Sequence, residues 1–205
     1  MSLFEDTYKT IAAPSEGQFK DRGSKFIAYA YPLKGEAAAR ELVSALKALH
    51  PKARHHCWAY RLTPDRSVFR INDDGEPSGT AGRPILNALL SADVTNVLLV
   101  VVRYFGGTLL GVPGLIHAYK AAAQDALQAA DVIELTVNDV YSVAFTYEQL
   151  NEVMRIVKDE DVTVRKQDFD NRCVMELEIR QTHVGKVLGR LEKVEGIAVD
   201  FVGTA

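Results

Sequence analysis

The sequence predicts a two-domain α+β protein, and three observations carry the prediction. Charge balance changes along the chain: residues 1–135 hold 15 Lys and Arg against 14 Asp and Glu, while residues 136–205 hold 9 against 13. The glycine-rich strings fall almost wholly in the first stretch. After residue 136 the hydrophobic pattern spells strand–helix–strand–strand–helix–strand. The expected division is therefore 1–135 and 136–205.

In the first stretch, residues 25–31 are rich in β-formers and predict a strand. Ala38, Leu42, Ala45, Leu46 and Leu49 recur at three- and four-residue spacing, which predicts a helix over 36–50 with one apolar face. Pro51 ends it, because the residue before a proline resists the α region. Residues 57–62 and 68–71 predict two strands around a turn at Pro64-Asp65.

A helix carrying Ile85, Leu86, Leu89 and Leu90 follows, with Pro84 in its first turn and Ser78 or Thr80 as candidate N-caps. Residues 95–105 predict a long strand buried on both faces. A helix from near Pro113 to about Ala130 buries Leu115, Ile116, Tyr119, Ala123, Ala126 and Leu127.

In the second stretch, strands are expected near 137–146, 161–168, 172–181 and 197–202, and helices near 147–159 and 183–194. Asp170-Asn171 supplies a hairpin turn between the middle strands. This βαββαβ order is that of a ferredoxin-like domain.

Composition excludes several classes. The longest apolar run, 97–102, is too short to cross a membrane. The first twenty residues lack a basic-then-apolar leader, and Glu5 and Asp6 stand where a leader needs positive charge. The two cysteines, Cys57 and Cys173, lie far apart with no Cys-x-x-Cys, so a reduced, cytoplasmic protein is expected. The first stretch is too nearly neutral for indiscriminate binding to duplex nucleic acid.

Three clusters in the first stretch are candidates for chemistry. Arg54-His55-His56-Cys57-Trp58 opens a strand. Adjacent strand residues point to opposite faces, so His55 and His56 do not converge on one metal ion, and no metal or cofactor is expected. The second cluster runs from Asn72 to Pro84 and includes Asp73, Asp74, Glu76, Thr80, Gly82 and Arg83. Its carboxylates suit a turn and helix cap, with a general base or cation ligand as the competing role.

The third cluster is Arg103-Tyr104-Phe105-Gly106-Gly107-Thr108-Leu109-Leu110-Gly111-Val112-Pro113-Gly114. A glycine-rich loop before a helix lets backbone N–H groups approach an anion. It is neither a Walker A loop nor a dinucleotide fingerprint, since the Gly-Lys-Ser/Thr ending and the glycine spacing are missing. Tight reversal and close packing explain such glycines equally well. No Gly-x-Ser-x-Gly elbow occurs, and His117 and His183 have no evident nucleophile beside them.

Arg54-His55-His56-Cys57, then Asp73-Asp74-Gly75-Glu76-Pro77-x-Gly79-Thr80-Ala81-Gly82-x-Pro84, then Val100-Val101-Val102-Arg103-Tyr104-Phe105-Gly106-Gly107-x-x-Leu110-Gly111 together resemble the IMPACT family, in its bacterial, YigZ-like branch. The resemblance spans about residues 20–130. It implies a first domain with the two-layer α/β fold of a ribosomal protein and of domain four of elongation factor G. The ferredoxin-like second domain would correspond to domain five of that factor. The resemblance also implies that eukaryotic members act in translational control by restraining activation of an amino-acid-starvation kinase, and that they carry an additional N-terminal domain for partner binding, so the kinase-regulating role is not transferred.

The expectation that follows is a non-enzymatic factor of translation regulation contacting RNA or the ribosome. Nucleic acid or anion would be held by Arg54, His55, Arg83, Arg103, Tyr104, Gly106, Gly107 and Gly111, with His56, Asp73, Asp74, Glu76, Thr80 and Gly82 in an unassigned role beside them. The alternative is an enzyme or binder of a small phosphate-bearing ligand at the glycine loop. A third reading is a module that meets a protein partner through the second domain.

Overall fold

The apolar run near residue 100 becomes the central strand of a five-stranded antiparallel sheet in the computed structural model, which describes residues 6–170 and 172–205. The strands are β2 (Ser15–Asp21), β3 (Ser24–Pro32), β6 (Val97–Tyr104), β4 (His55–Leu62) and β5 (Val68–Asn72), in that spatial order. Val97 through Arg103 are all buried. One face of the sheet is covered by α2 (Gly82–Ser91) and α3 (Gly111–Gln128), the other by α1 (Glu36–Leu49). A two-stranded ribbon of β1 (Thr7–Ile11) and β7 (Val132–Thr136) completes this part of the chain.

Period-two alternation sorts the side chains. Phe26, Ala28, Cys57, Ala59, Leu99 and Val101 pack with Leu89, Tyr119 and Ala123 of α2 and α3. Tyr29, Tyr60, Leu98, Val100 and Val102 pack with Ala39 and Leu46 of α1. α3 packs directly on Gly17 of β2: a Cβ there would lie 2.2 Å from the Ala126 backbone nitrogen.

Four elements differ from the sequence expectation. The strands β1, β2 and β7 are additional, and α3 starts at Gly111, placing Pro113 inside its first turn. A missing N–H at that position removes no intrahelical bond.

The chain divides into two units, Tyr8–Leu135 and Thr136–Ala205, the latter joined by Asp6 and Thr7. The second contains β8 (Asn138–Phe145), α4 (Leu150–Asp159), β9 (Thr163–Phe169), β10 (Cys173–Arg180), α5 (Val184–Leu191) and β11 (Ala198–Thr204). Its antiparallel sheet runs β11-β8-β10-β9, the ferredoxin-like arrangement. Val143, Phe145, Met175 and Leu177 pack against Val153, Ile156, Val187 and Leu191. Asn171, half of the expected hairpin turn, lies outside the described residues.

Asp6 belongs to this second unit. Its carboxylate accepts from Arg180 Nε at 2.5 Å, Arg180 Nη2 at 2.8 Å and Thr182 Oγ1 at 2.6 Å. Those bonds hold its carboxyl well below the usual carboxylate range.

Candidate functional site

The register of β4 and β6 sets His55 directly opposite Arg103. Both face the α2–α3 side of the sheet, so the first and third clusters meet there. The second cluster is brought to them by Asp73. Its Oδ2 accepts from Gly79 N at 2.9 Å, and its Oδ1 from Ala81 N at 3.1 Å and Gly82 N at 2.8 Å. One carboxylate thus satisfies backbone donors at the α2 N-terminus, and this replaces the caps expected from Ser78 and Thr80. Thr80 is buried and its hydroxyl instead donates to the Pro77 carbonyl. A left-handed bend at Asp74 (φ 42°) and Gly75 (φ 88°) turns the loop inward.

The loop is thereby closed over the sheet with Glu76 buried beneath it, 8% exposed. Glu76 Oε1 accepts from Arg103 Nη1 at 2.5 Å and from the Tyr119 hydroxyl at 2.7 Å. The Cys57 thiol lies 3.3 Å from that hydroxyl and 3.0 Å from the Asp73 carbonyl. The Arg103 guanidinium sits 5.4 Å from the Phe26 ring centroid and 5.6 Å from that of Phe105, a favourable setting for a cation. His55 Nε2 is 3.8 Å from Glu76 Oε1, while its Nδ1 bonds the Asp74 carbonyl at 2.8 Å.

Burial pushes the Cys57 thiol up, and the neighbouring Glu76 carboxylate adds to the effect. Burial likewise pushes the Tyr119 phenol up, with Cys57 and Glu76 reinforcing it. Both groups keep their protons near neutrality, and Cys57 therefore lacks the thiolate character of a nucleophile.

The opposite face holds the residues one position further along each strand. His56 is buried there; burial lowers its pKa, and the Asp74 carboxylate only partly opposes this. Burial would raise the Asp74 carboxyl, but the His56 backbone N–H at 2.7 Å and Lys47 Nζ at 3.0 Å bring it below its ordinary value. Tyr104 also lies on this side, its hydroxyl 2.8 Å from His50 Nδ1, while His50 Nε2 meets the Tyr29 hydroxyl at 2.7 Å. Among the described residues, no group of three His, Cys, Asp or Glu is placed to hold a metal ion.

The sequence-derived set is thus divided. Arg54, His55, Glu76, Arg103 and Gly111 line one open cleft of about 490 Å³, walled by apolar residues including Phe105, Leu109 and Val112. Tyr104 is separated from it by strand alternation. Arg83 is exposed on the first turn of α2 and does not line the cleft. Arg103 is 5% exposed and committed to Glu76, so it is no free surface cation.

Gly106 is explained by packing: a Cβ there would lie 1.9 Å from the Gly23 carbonyl carbon, and its N–H donates to Ser24 Oγ at 3.1 Å. Gly107 (φ 87°) faces open space, and Gly111 (φ 71°) begins α3. Tyr119, Phe26 and Phe105 complete the site without having been singled out as functional residues. The only sequence signal for Tyr119 was a polar-tipped aromatic on the buried face of a helix.

The Impact N-terminal domain family model matches residues 22–127. The chain is 35% identical to an IMPACT family member of Haemophilus influenzae over 172 residues, covering 83% of this chain and 78% of the relative. It is 32% identical to the IMPACT family member YigZ of Escherichia coli over 182 residues, 88% of this chain and 89% of that protein. A crystal structure described as a hypothetical protein superposes with a TM-score of 0.76 at 28% identity, covering 97% of this chain and 98% of the other.

Proposed function

The chain belongs to the IMPACT family, and on that premise we propose that it is a non-enzymatic, cytoplasmic binding factor whose cleft takes a small ligand with one anionic group on an apolar body. The observation that carries this reading is Arg103. Its guanidinium is nine-tenths buried, lines the cleft, and keeps an Nε that finds no hydrogen-bond partner. Buried donors are rarely left unpaired.

The cleft's other features agree. Gly111 and Val112 of the α3 N-terminus line it, and a helix N-terminus favours negative charge. Arg54 adds an exposed cation with no ion pair among the described residues. Glu76 offsets one of the two arginine charges, which suits a single phosphate or carboxylate better than a polyanion. Leu109, 81% exposed, and Val112, 51% exposed, offer an apolar wall. Calorimetric titration with phenyl phosphate, inorganic phosphate and benzoate tests the reading. Phenyl phosphate is expected to bind more tightly than phosphate, and Arg54→Ala to weaken it; equal, unsaturable heats for all three would contradict it.

A second reading, contact with RNA or the ribosome in translation regulation, is favoured by the openness of this cleft, which leaves Arg54 exposed for a phosphate of a larger partner. Cosedimentation with ribosomes across a salt series tests it: binding should fall with salt and fall further in Arg54→Ala. A protein partner meeting the ferredoxin-like unit would instead give salt-insensitive binding that Arg54→Ala leaves unchanged.

A further inference from the structure

A different cleft lies between α1 and the β4–β5 edge of the same sheet, on the face turned away from Glu76. It encloses about 350 Å³, within the size range of small-molecule sites, roughly 300–1,000 Å³. One wall is an aromatic plate. The Trp58 indole lies parallel to the Tyr60 ring, 3° apart in plane and 5.6 Å between centroids. Tyr60 is buried, Trp58 is partly exposed, and both line the cleft. Ala39, Val43 and Ser44 of α1 line it as well.

The rim is cationic. Arg40, Lys47 and Arg70 line it with a single carboxylate, Glu36. Arg70 Nε is 3.4 Å from Glu36 Oε1, and Lys47 is held by Asp74. Arg40 is exposed and forms no ion pair among the described residues. A flat π surface under a surplus of positive charge matches a ligand that is planar at one end and anionic at the other. Bases stack on aromatic side chains, and arginine forks pair with phosphate.

We propose that this cleft is a mononucleotide-binding site, with the base lying on Trp58 and the phosphate among Arg40, Lys47 and Arg70. An extended polymer is not the expected occupant, because the enclosed volume accommodates one nucleotide and the plate offers a single partly exposed ring.

Trp58 is the only tryptophan in the chain, so its fluorescence reports directly on occupancy in the intact protein. Titration with AMP should quench it along a saturating curve. Adenosine and inorganic phosphate, each carrying half of the recognised chemistry, should need concentrations about tenfold higher or more. Arg40→Ala retains the indole and changes an exposed residue, and should weaken AMP about tenfold.

Three results would overturn the proposal. One is quenching that rises linearly without saturation. Another is an AMP midpoint unchanged in Arg40→Ala. The third is saturation by short oligoadenylate but not by AMP, which would mean that the surface reads a strand and not a nucleotide.

Discussion

Glu76 and Arg103, 27 residues apart in sequence, form an ion pair of 2.5 Å whose two side chains are only 4% and 6% exposed. A buried pair recovers its desolvation cost only while both charges are present. Tyr119 supplies the further hydrogen bond that a buried carboxylate needs. The pair therefore locks the acidic loop onto the central strand, and in doing so fixes the floor of the cleft.

Removing one charge should be costly. Glu76→Gln is expected to lower stability by about 3–5 kcal/mol, because the Arg103 charge is left buried without a counter-charge. Lys47→Ala breaks the Lys47–Asp74 pair, whose lysine side chain is 49% exposed, and should cost about 1 kcal/mol or less. Urea unfolding of the two variants beside the parent chain measures the contrast.

Cys57 should behave as an inert thiol. It is fully buried and bonded to the Asp73 carbonyl and the Tyr119 hydroxyl, so maleimide labelling followed by mass spectrometry should modify it only under unfolding conditions. Tyr119→Phe deletes the hydroxyl shared by Cys57 and Glu76, and should cost about 1–3 kcal/mol in the same unfolding assay. Rapid labelling of Cys57 in the native parent chain would contradict the buried arrangement.

The contact between β2 and α3 leaves no room for a side chain at residue 17. Gly17→Ala places a methyl 2.2 Å from one backbone atom of α3 and 2.7 Å from two others, and neither backbone can retreat cheaply. The expected loss is about 3 kcal/mol, the upper part of the usual overpacking range. Gly35→Ala, where a Cβ would meet nothing, is the control; because Gly35 is the N-cap of α1, it should cost only about 1 kcal/mol or less.

How far the sequence announced these arrangements depends on the kind of interaction. The α1, α2, β6 and second-unit elements were legible because their apolar residues recur at helix or strand period. The strand β2 was not, since Ser15–Asp21 is mostly polar and its main packing residue is a glycine. Strand alternation anticipated that His55 and His56 would part; the same rule separates Arg103 from Tyr104, which the motif had kept together. The Glu76–Arg103–Tyr119 network was not legible as such. It joins a loop, a strand and a helix through tertiary packing, which no local spacing encodes.

Acid should destabilise the first unit, with a sign set by His56 and Asp74. His56 is held below its ordinary value of 6.5 by burial. As pH falls through 6.5, the unfolded chain takes up that proton first and stability declines until the folded imidazole also protonates. Asp74 is likewise depressed in the fold, so its contribution is present above the ordinary carboxylate range and is lost as pH falls through its folded pKa. Unfolding midpoints measured from pH 7 to pH 4 should fall monotonically. His56→Leu also removes a buried Nε2 that has no partner, and should flatten the limb just below pH 6.5.

The most direct test of the anion cleft is amide chemical-shift mapping of the full chain during titration with phenyl phosphate. Saturating shifts are expected at Gly111 and Val112 of the α3 N-terminus, together with the Arg103 side-chain Nε–H, and their loss or weakening in Arg54→Ala. Shifts that fail to saturate, or that saturate elsewhere while these resonances stay fixed, would contradict it.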